Sequence, residues 1–269
     1  MTGVEEAIEL LLGQIEPGKP QAYLLEEALG LVLAESVCAE EQHPADDTSA
    51  MDGYAVRSSA LVSASETSPV RLQQIEDIKA GSPPERPVGI GQTSRISTGG
   101  LVPEGADAVV MREDVRAEDS GVFFAGPVEP GQNIRYAGEH IRAGEELLSP
   151  GMRLGPAEIG MAAYLGRDRV SCIPRVTASV LSTGSELVSS TTEVGRGQIR
   201  DSNGISLASA LQDIGCKVVA QQRVPDQAEL LEKALSEAFS NSRVVLTSGG
   251  ISAGWHDLVR QQIEKLGGV

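Results

Sequence analysis

The chain has 269 residues, and 22 Lys and Arg against 38 Asp and Glu leave it a formal net charge of -16 at pH 7. A surface so acidic repels nucleic acid and anionic membranes, which are held by Lys and Arg clusters that displace counterions. Its three cysteines, Cys38, Cys172 and Cys216, are odd in number, far apart and without metal-ligand spacing, which argues against a disulfide framework and for thiols in a reducing compartment.

The first residues, MTGVEEAIELLLGQ, carry no basic stretch ahead of an apolar one, and no later segment approaches the roughly 20 apolar residues that cross a bilayer. The expected location is therefore the cytoplasm, with no membrane partner and no nucleic acid. Val4, Ala7, Ile8, Leu11 and Leu12 recur at the spacing of an amphipathic helix, which Gly18 and Pro20 end. AYLLEEALGLVLAE, at 22–35, predicts a second helix. From about Ser36 to Gly151 the texture changes. Short β-rich pieces, PVRLQQI, GVFFAGPV and EELLSPG, alternate with Gly- and Pro-bearing turns, which predicts an inserted β domain. PAEIGMAAYLG returns to helix, with Pro156 suited to its first turn and Gly166 to its stop. The chain is thus expected to leave its first domain and come back: 1–40 with 141–173 form a discontinuous helical and β linker domain, 41–140 the inserted β-rich domain, and 174–269 a third.

That third part alternates strand and helix. VTASVLST, CKVVAQQRV and SRVVLTS read as strands, and NGISLASALQDIG, DQAELLEKALSEAFS and WHDLVRQQIEKLGG as helices, the first with Leu207, Ala208, Leu211 and Ile214 inward. Near-continuous apolar strands joined by helices predict a parallel sheet covered on both faces, with ligands at the carboxyl ends of the strands. Gly267 and Gly268 should hand the last helix to another strand, yet only Val269 follows, so the sheet is expected to lack members and to be marginally stable.

Six strings, in order along essentially the whole chain, resemble the molybdopterin molybdenumtransferase family of the MoeA and gephyrin E-domain type. They are SAMDGYAV at 49–56, RISTGGLVPEGADAVVMRE at 95–113, GQNIRYAGE at 131–139, LSTGSEL at 181–187, DSN at 201–203 and TSGGISAG at 247–254. The resemblance implies a multi-domain chain, α/β plus mostly β: an elongated N-terminal region with its inserted β domain, then an incomplete three-layer α/β molybdopterin-binding domain of the MogA/MoaB type. The family's C-terminal β domain has no counterpart here. The implied reaction inserts molybdate into adenylylated molybdopterin and releases AMP. Mg²⁺ is the implied cofactor, and molybdate and adenylylated molybdopterin are the substrates. Implied partners are a second copy, in a homodimer whose subunits share the active site, and the molybdopterin adenylyltransferase.

Residue by residue, each role has a plainer reading beside it. Ser248, Gly249, Gly250 and Ser252 are substrate-binding candidates in a Gly-rich turn between strand and helix, where backbone N–H groups approach phosphate or pterin, though such turns are also common structural features. Asp257 follows, as a metal ligand and catalytic candidate or simply as a first-turn acid that suits the helix dipole. Glu186, after the cofactor-binding candidates Gly184 and Ser185, is the second metal and catalytic candidate, since Mg²⁺ prefers carboxylate and phosphate oxygens. Ser185 stands where the family more often has Asp. Asp226 with Glu229 in PDQAEL fits a capping box, while the resemblance makes Asp226 functional. Asp201, Ser202 and Asn203 precede a helix and could cap it; the resemblance places them in the pterin pocket. Asp52 and Thr98 read as turn and loop residues, and the resemblance sets them over the partner's active site to bind or activate molybdate. His140 replaces an acid of the family, and is either a ligand or an exposed polar residue. The loop Gly254-Trp255-His256-Asp257 puts a bulky indole where family members usually carry something smaller or more polar. Two other functions stay open, a non-catalytic pterin-binding scaffold and an adenylyltransferase that would consume ATP.

Overall fold

The computed structural model describes residues 3–249 and 258–267. It separates into two compact units, one from residues 1–36 with 149–269 and the other from Val37 to Leu148.

Within the first unit, the expected N-terminal helix spans Val4–Leu12, but none of its residues is buried and Leu11 is 64% exposed. The helix expected over 22–35 does not form. Gln21–Leu24 is a strand, Leu25–Glu27 a short 3-10 turn and Val32–Leu33 a second strand. Both strands pair antiparallel with the two edges of Arg169–Ile173, which makes a three-stranded sheet closed by residues from the far side of the insertion. Helical propensity is a weak local preference, and burial of Ala28, Leu31 and Leu33 through that pairing overrides it. Pro156–Tyr164 is the expected helix. Pro156 opens it, Glu158 accepts the Gly155 N–H at 2.9 Å, and Gly166 follows its end at φ 78°.

The α/β portion of this unit has three parallel strands, Thr177–Thr183 in the centre with Lys217–Val224 and Val244–Ser248 on either side. Six of the seven central residues are buried, as a strand covered on both faces requires. Ala178 and Val180 pack with Ala208 and Leu211 of the Asn203–Asp213 helix on one face. Leu181 packs on the other face with Leu231, Leu235 and Val259, from the helices Ala228–Asn241 and Leu258–Lys265. The result is the three-layer arrangement. Ile214, expected inward, is 68% exposed because the helix has ended and Ile214 is its C-cap.

The second unit is built on a mixed six-stranded sheet. Its order is Ala108–Met111, Gly53–Val56, Gln92–Ile96, Val70–Ile78, Gly121–Phe124, Val115–Glu118, and only the pairing of Val70–Ile78 with Gln92–Ile96 is parallel. Tyr54, Val56, Leu61, Leu72 and Phe124 fill one face, with Tyr54 and Phe124 edge-to-face at 6.2 Å, while Ala55, Ile78, Ile96 and Val109 fill the other. Alternate residues of Gly53–Val56 thus serve opposite cores, as period-two side chains must.

Candidate functional site

The carboxyl ends of the three parallel strands converge on Thr183–Glu186, Val224–Asp226 and Ser248–Gly249. A small cavity of about 180 Å³ opens there, lined by Glu186, Asp201, Ser202, Asn203, Ser248 and Gly249 together with Thr183, Leu187, Ile199 and Arg200. Six of the candidates thus meet in one place. Gly184, Ser185 and Asp226 flank it. Gly250, Ser252 and Asp257, with Trp255 and His256, lie outside the described residues.

Hydrogen bonds fix these pieces. Asn203 Nδ2 donates to Ser248 Oγ at 3.1 Å, and Thr183 Oγ1 to the Ser248 carbonyl at 3.4 Å. Two glycines here adopt positive φ, a backbone conformation that L side chains rarely take. At Gly184, with φ 152°, a Cβ would stand 2.6 Å from both Glu186 carboxylate oxygens; at Gly249, with φ 96°, it would stand 2.8 Å from Thr183 Oγ1 and O. Glu186 is held by backbone alone: the Ile199 N–H donates to its carbonyl at 3.0 Å, and Leu187–Val188 pairs parallel with Ile199–Arg200. Among the described residues its exposed carboxylate has no hydrogen-bond or ion-pair partner.

Asp226 corrects the capping-box expectation. The helix starts at Ala228 with Gln227 as N-cap, and no side chain caps it. Instead the Ser185 N–H donates to Asp226 Oδ2 at 3.2 Å, and the Asp226 N–H donates to Ser185 Oγ at 3.0 Å. This reciprocal pair locks the first and second strand ends together. Asp201, by contrast, does cap its helix. It is 3% exposed and its Oδ1 accepts the Gly204 N–H at 2.8 Å, whereas Ser202, formally the N-cap, makes no such bond.

In the second unit, Asp52 Oδ1 accepts both the Thr98 N–H at 2.8 Å and the Thr98 hydroxyl at 3.0 Å. These two bonds, backbone first, hold the Asp52 carboxyl below its ordinary range, with Arg112 and Arg95 adding positive charge nearby. A group lowered in the folded state contributes stability above its unfolded pKa and loses it as pH falls through the folded value. Thr98→Val removes the hydroxyl bond alone, so the Asp52 pKa should rise part-way toward normal. A carbon-detected NMR titration reads this directly, and an unchanged midpoint would show that the hydroxyl contributes nothing. His140 is exposed and its N–H donates to the His43 carbonyl. Asp47 Oδ1 accepts the Ala137 N–H at 2.8 Å and so ties the loop ahead of Asp52 to 136–140. Among the described residues no three His, Cys, Asp or Glu side chains cluster as a metal site, and no helix is long and apolar enough to cross a membrane.

Residues 2–166 match the family model described as "MoeA N-terminal region (domain I and II)", and residues 179–269 match the one described as "Probable molybdopterin binding domain". The first of these covers more than half of the chain.

The chain belongs to the MoeA family.

Curated relatives agree with the MoeA assignment. A protein of Haemophilus influenzae named molybdopterin molybdenumtransferase is 35% identical over 100% of this chain and 66% of its own length. Molybdopterin molybdenumtransferase 2 of Mycobacterium tuberculosis is 37% identical over 97% of this chain and 64% of its own. The chain therefore spans slightly less than two thirds of these relatives. The crystal structure of the molybdopterin biosynthesis MoeA protein of Pyrococcus horikoshii superposes with a TM-score of 0.83 at 33% identity, covering 99% of this chain and 67% of the other. The mixed inserted sheet and the three-layer α/β portion are thus the MoeA architecture.

Sequence reasoning missed Arg200, the one basic side chain among the described residues lining the crevice, whose Nη2 donates to the Thr192 carbonyl at 3.3 Å. Its signal was position alone, a cation directly ahead of Asp201.

Proposed function

We propose that this chain inserts molybdate into adenylylated molybdopterin and releases AMP. The observation that carries the reading is the strand-end crevice, where Asn203 bonded to Ser248 faces an unengaged Glu186 carboxylate in a member of the MoeA family. Asn203, Ser202 and Ser248 supply hydrogen-bonding groups for the pterin, and Arg200 supplies positive charge for its phosphates. The residues fit Mg²⁺ in kind: Glu186 offers hard oxygen atoms that no described residue occupies, and Asp257 is the second candidate ligand. A cation held there would neutralise the phosphoanhydride and the molybdate so that two anions can meet. Asp52, kept ionised by Thr98, is read as acting on molybdate at the crevice of a second copy in a homodimer with shared active sites. The adenylyltransferase that makes the substrate is the expected partner, in the cytoplasm. Residues 1–40 with 141–173, 41–140 and 174–269 are proposed as the three domains.

The direct test mixes the purified chain with adenylylated molybdopterin, Mg²⁺ and molybdate and follows AMP by chromatography. Molybdate-dependent release is expected. Pterin binding without release would remove the transferase reading for this chain and leave the scaffold.

A further inference from the structure

At the opposite end of the central strand, beside Thr177 rather than Thr183, a second cavity of about 220 Å³ opens. Seven residues of strand at about 3.3 Å each put roughly 20 Å between it and the crevice. Its walls come from four separated stretches: Gly30 to Val32, Arg153, Ile173 to Val176, and Ile214 to Cys216 at the end of the Asn203–Asp213 helix.

Two guanidinium groups meet in it. Arg175 donates through Nη2 to the Leu29 carbonyl at 2.8 Å and through Nη1 to the Gly215 carbonyl at 3.3 Å. That accounts for Arg175, because a cation is favoured where a helix exposes its last carbonyls. Arg153 is exposed, and its side chain makes no hydrogen bond or ion pair with any described residue. Yet its Nη2 lies 3.9 Å from the point where a Cβ on Gly30 would stand, and Nη2 of Arg175 lies 3.2 Å from that same point. Among the described residues no carboxylate lines the cavity, in a chain where acidic residues outnumber basic ones 38 to 22. Like charges set together repel unless an opposite charge joins them. Each guanidinium has five N–H donors in a planar fork matched to oxyanions; Arg175 has committed two and Arg153 none.

We propose that this cavity binds a small tetrahedral oxyanion, inorganic phosphate or a phosphate monoester, between Arg153 and Arg175. The carbonyl end of the helix opposes an anion weakly, while paired guanidiniums give charge-assisted bonds that are stronger and directional. Because the walls belong to the linker sheet and to the α/β portion, the bound ion clasps the two.

Cys216 provides the readout. It is half-buried in the cavity wall, Cys38 is half-buried in the other compact unit, and Cys172 is fully buried. The full chain is treated with iodoacetamide, and alkylation of each cysteine is followed by peptide mass spectrometry in phosphate or in sodium chloride of equal ionic strength. At phosphate five times its dissociation constant, Cys216 should react about sixfold more slowly while Cys38 keeps its rate. Arg153→Gln should abolish this protection; Arg175 is left intact because it bonds two carbonyls. Phosphate held only at the distant crevice would leave Cys216 unprotected and overturn the proposal. So would equal slowing by chloride, or protection that survives Arg153→Gln. Glycerol 3-phosphate, run in parallel, identifies a monoester site if it protects at lower concentration than inorganic phosphate, and a free-ion site if the order is reversed; either order upholds the proposal.

Discussion

Glu186→Gln should lower molybdate-dependent AMP release by roughly 10²- to 10³-fold, the scale of losing one charge-stabilising group in a catalytic site. The substitution keeps the side chain's shape, so the crowding around Gly184 is unchanged and only the charge is lost. An exposed carboxylate without a described partner contributes little to folding, and stability should stay within about 0.5 kcal/mol of the parent. The sign of the binding effect separates a metal-linked role from a simple one. A bare carboxylate repels an anionic substrate, so without Mg²⁺ the Gln variant should bind adenylylated molybdopterin at least as tightly as the parent. With Mg²⁺ it should bind less tightly, because the cation has lost an oxygen ligand. Titration calorimetry in both buffers tests this. Equal loss of affinity with and without the metal would assign Glu186 a direct contact with the pterin instead.

How far the sequence reaches depends on whether a residue's partners are local. The α/β strands were legible because Ala178, Val180 and Leu181 form a run that only a doubly covered strand can bury, and their glycine-marked ends located Glu186 and Ser248. The segment 22–35 was not legible. Its Leu, Ala and Glu content favours helix, and the strand that recruits it, Arg169–Ile173, lies beyond the whole insertion. Asp226 failed in the same way. PDQAEL has the spacing of a capping box, but the carboxylate is taken by the N–H of Ser185, 41 positions earlier. Asp201 was readable as a cap since its acceptor bond spans three residues. Nothing local in the sequence singled out Arg200 or Arg153. Only the folding of distant segments around them showed which cavity each one lines.

Leu235→Ala and Phe124→Ala should each destabilise one unit and spare the other. Leu235 is fully buried among Leu181, Leu231 and Val259, so its truncation removes a complete aliphatic side chain and leaves a cavity, at a cost of about 2 to 5 kcal/mol. Phe124, 1% exposed, packs with Tyr54, Leu61 and Leu72 in a core that shares no residue with the first, and its loss should cost about 3 to 5 kcal/mol. Cooperative unfolding follows the contiguous core, so amide exchange resolves the two changes. Leu235→Ala should accelerate exchange in Thr177–Thr183 and Lys217–Val224 and leave Gly53–Val56 and Gln92–Ile96 protected; Phe124→Ala should do the reverse. The double variant should then add the single effects within about 0.5 kcal/mol, as independent sites do. If either substitution loosened both sheets to the same degree, the two cores would be one cooperative unit. The Asp52–Thr98 pair and the Glu186 crevice would then be poised by a single folding equilibrium rather than by two.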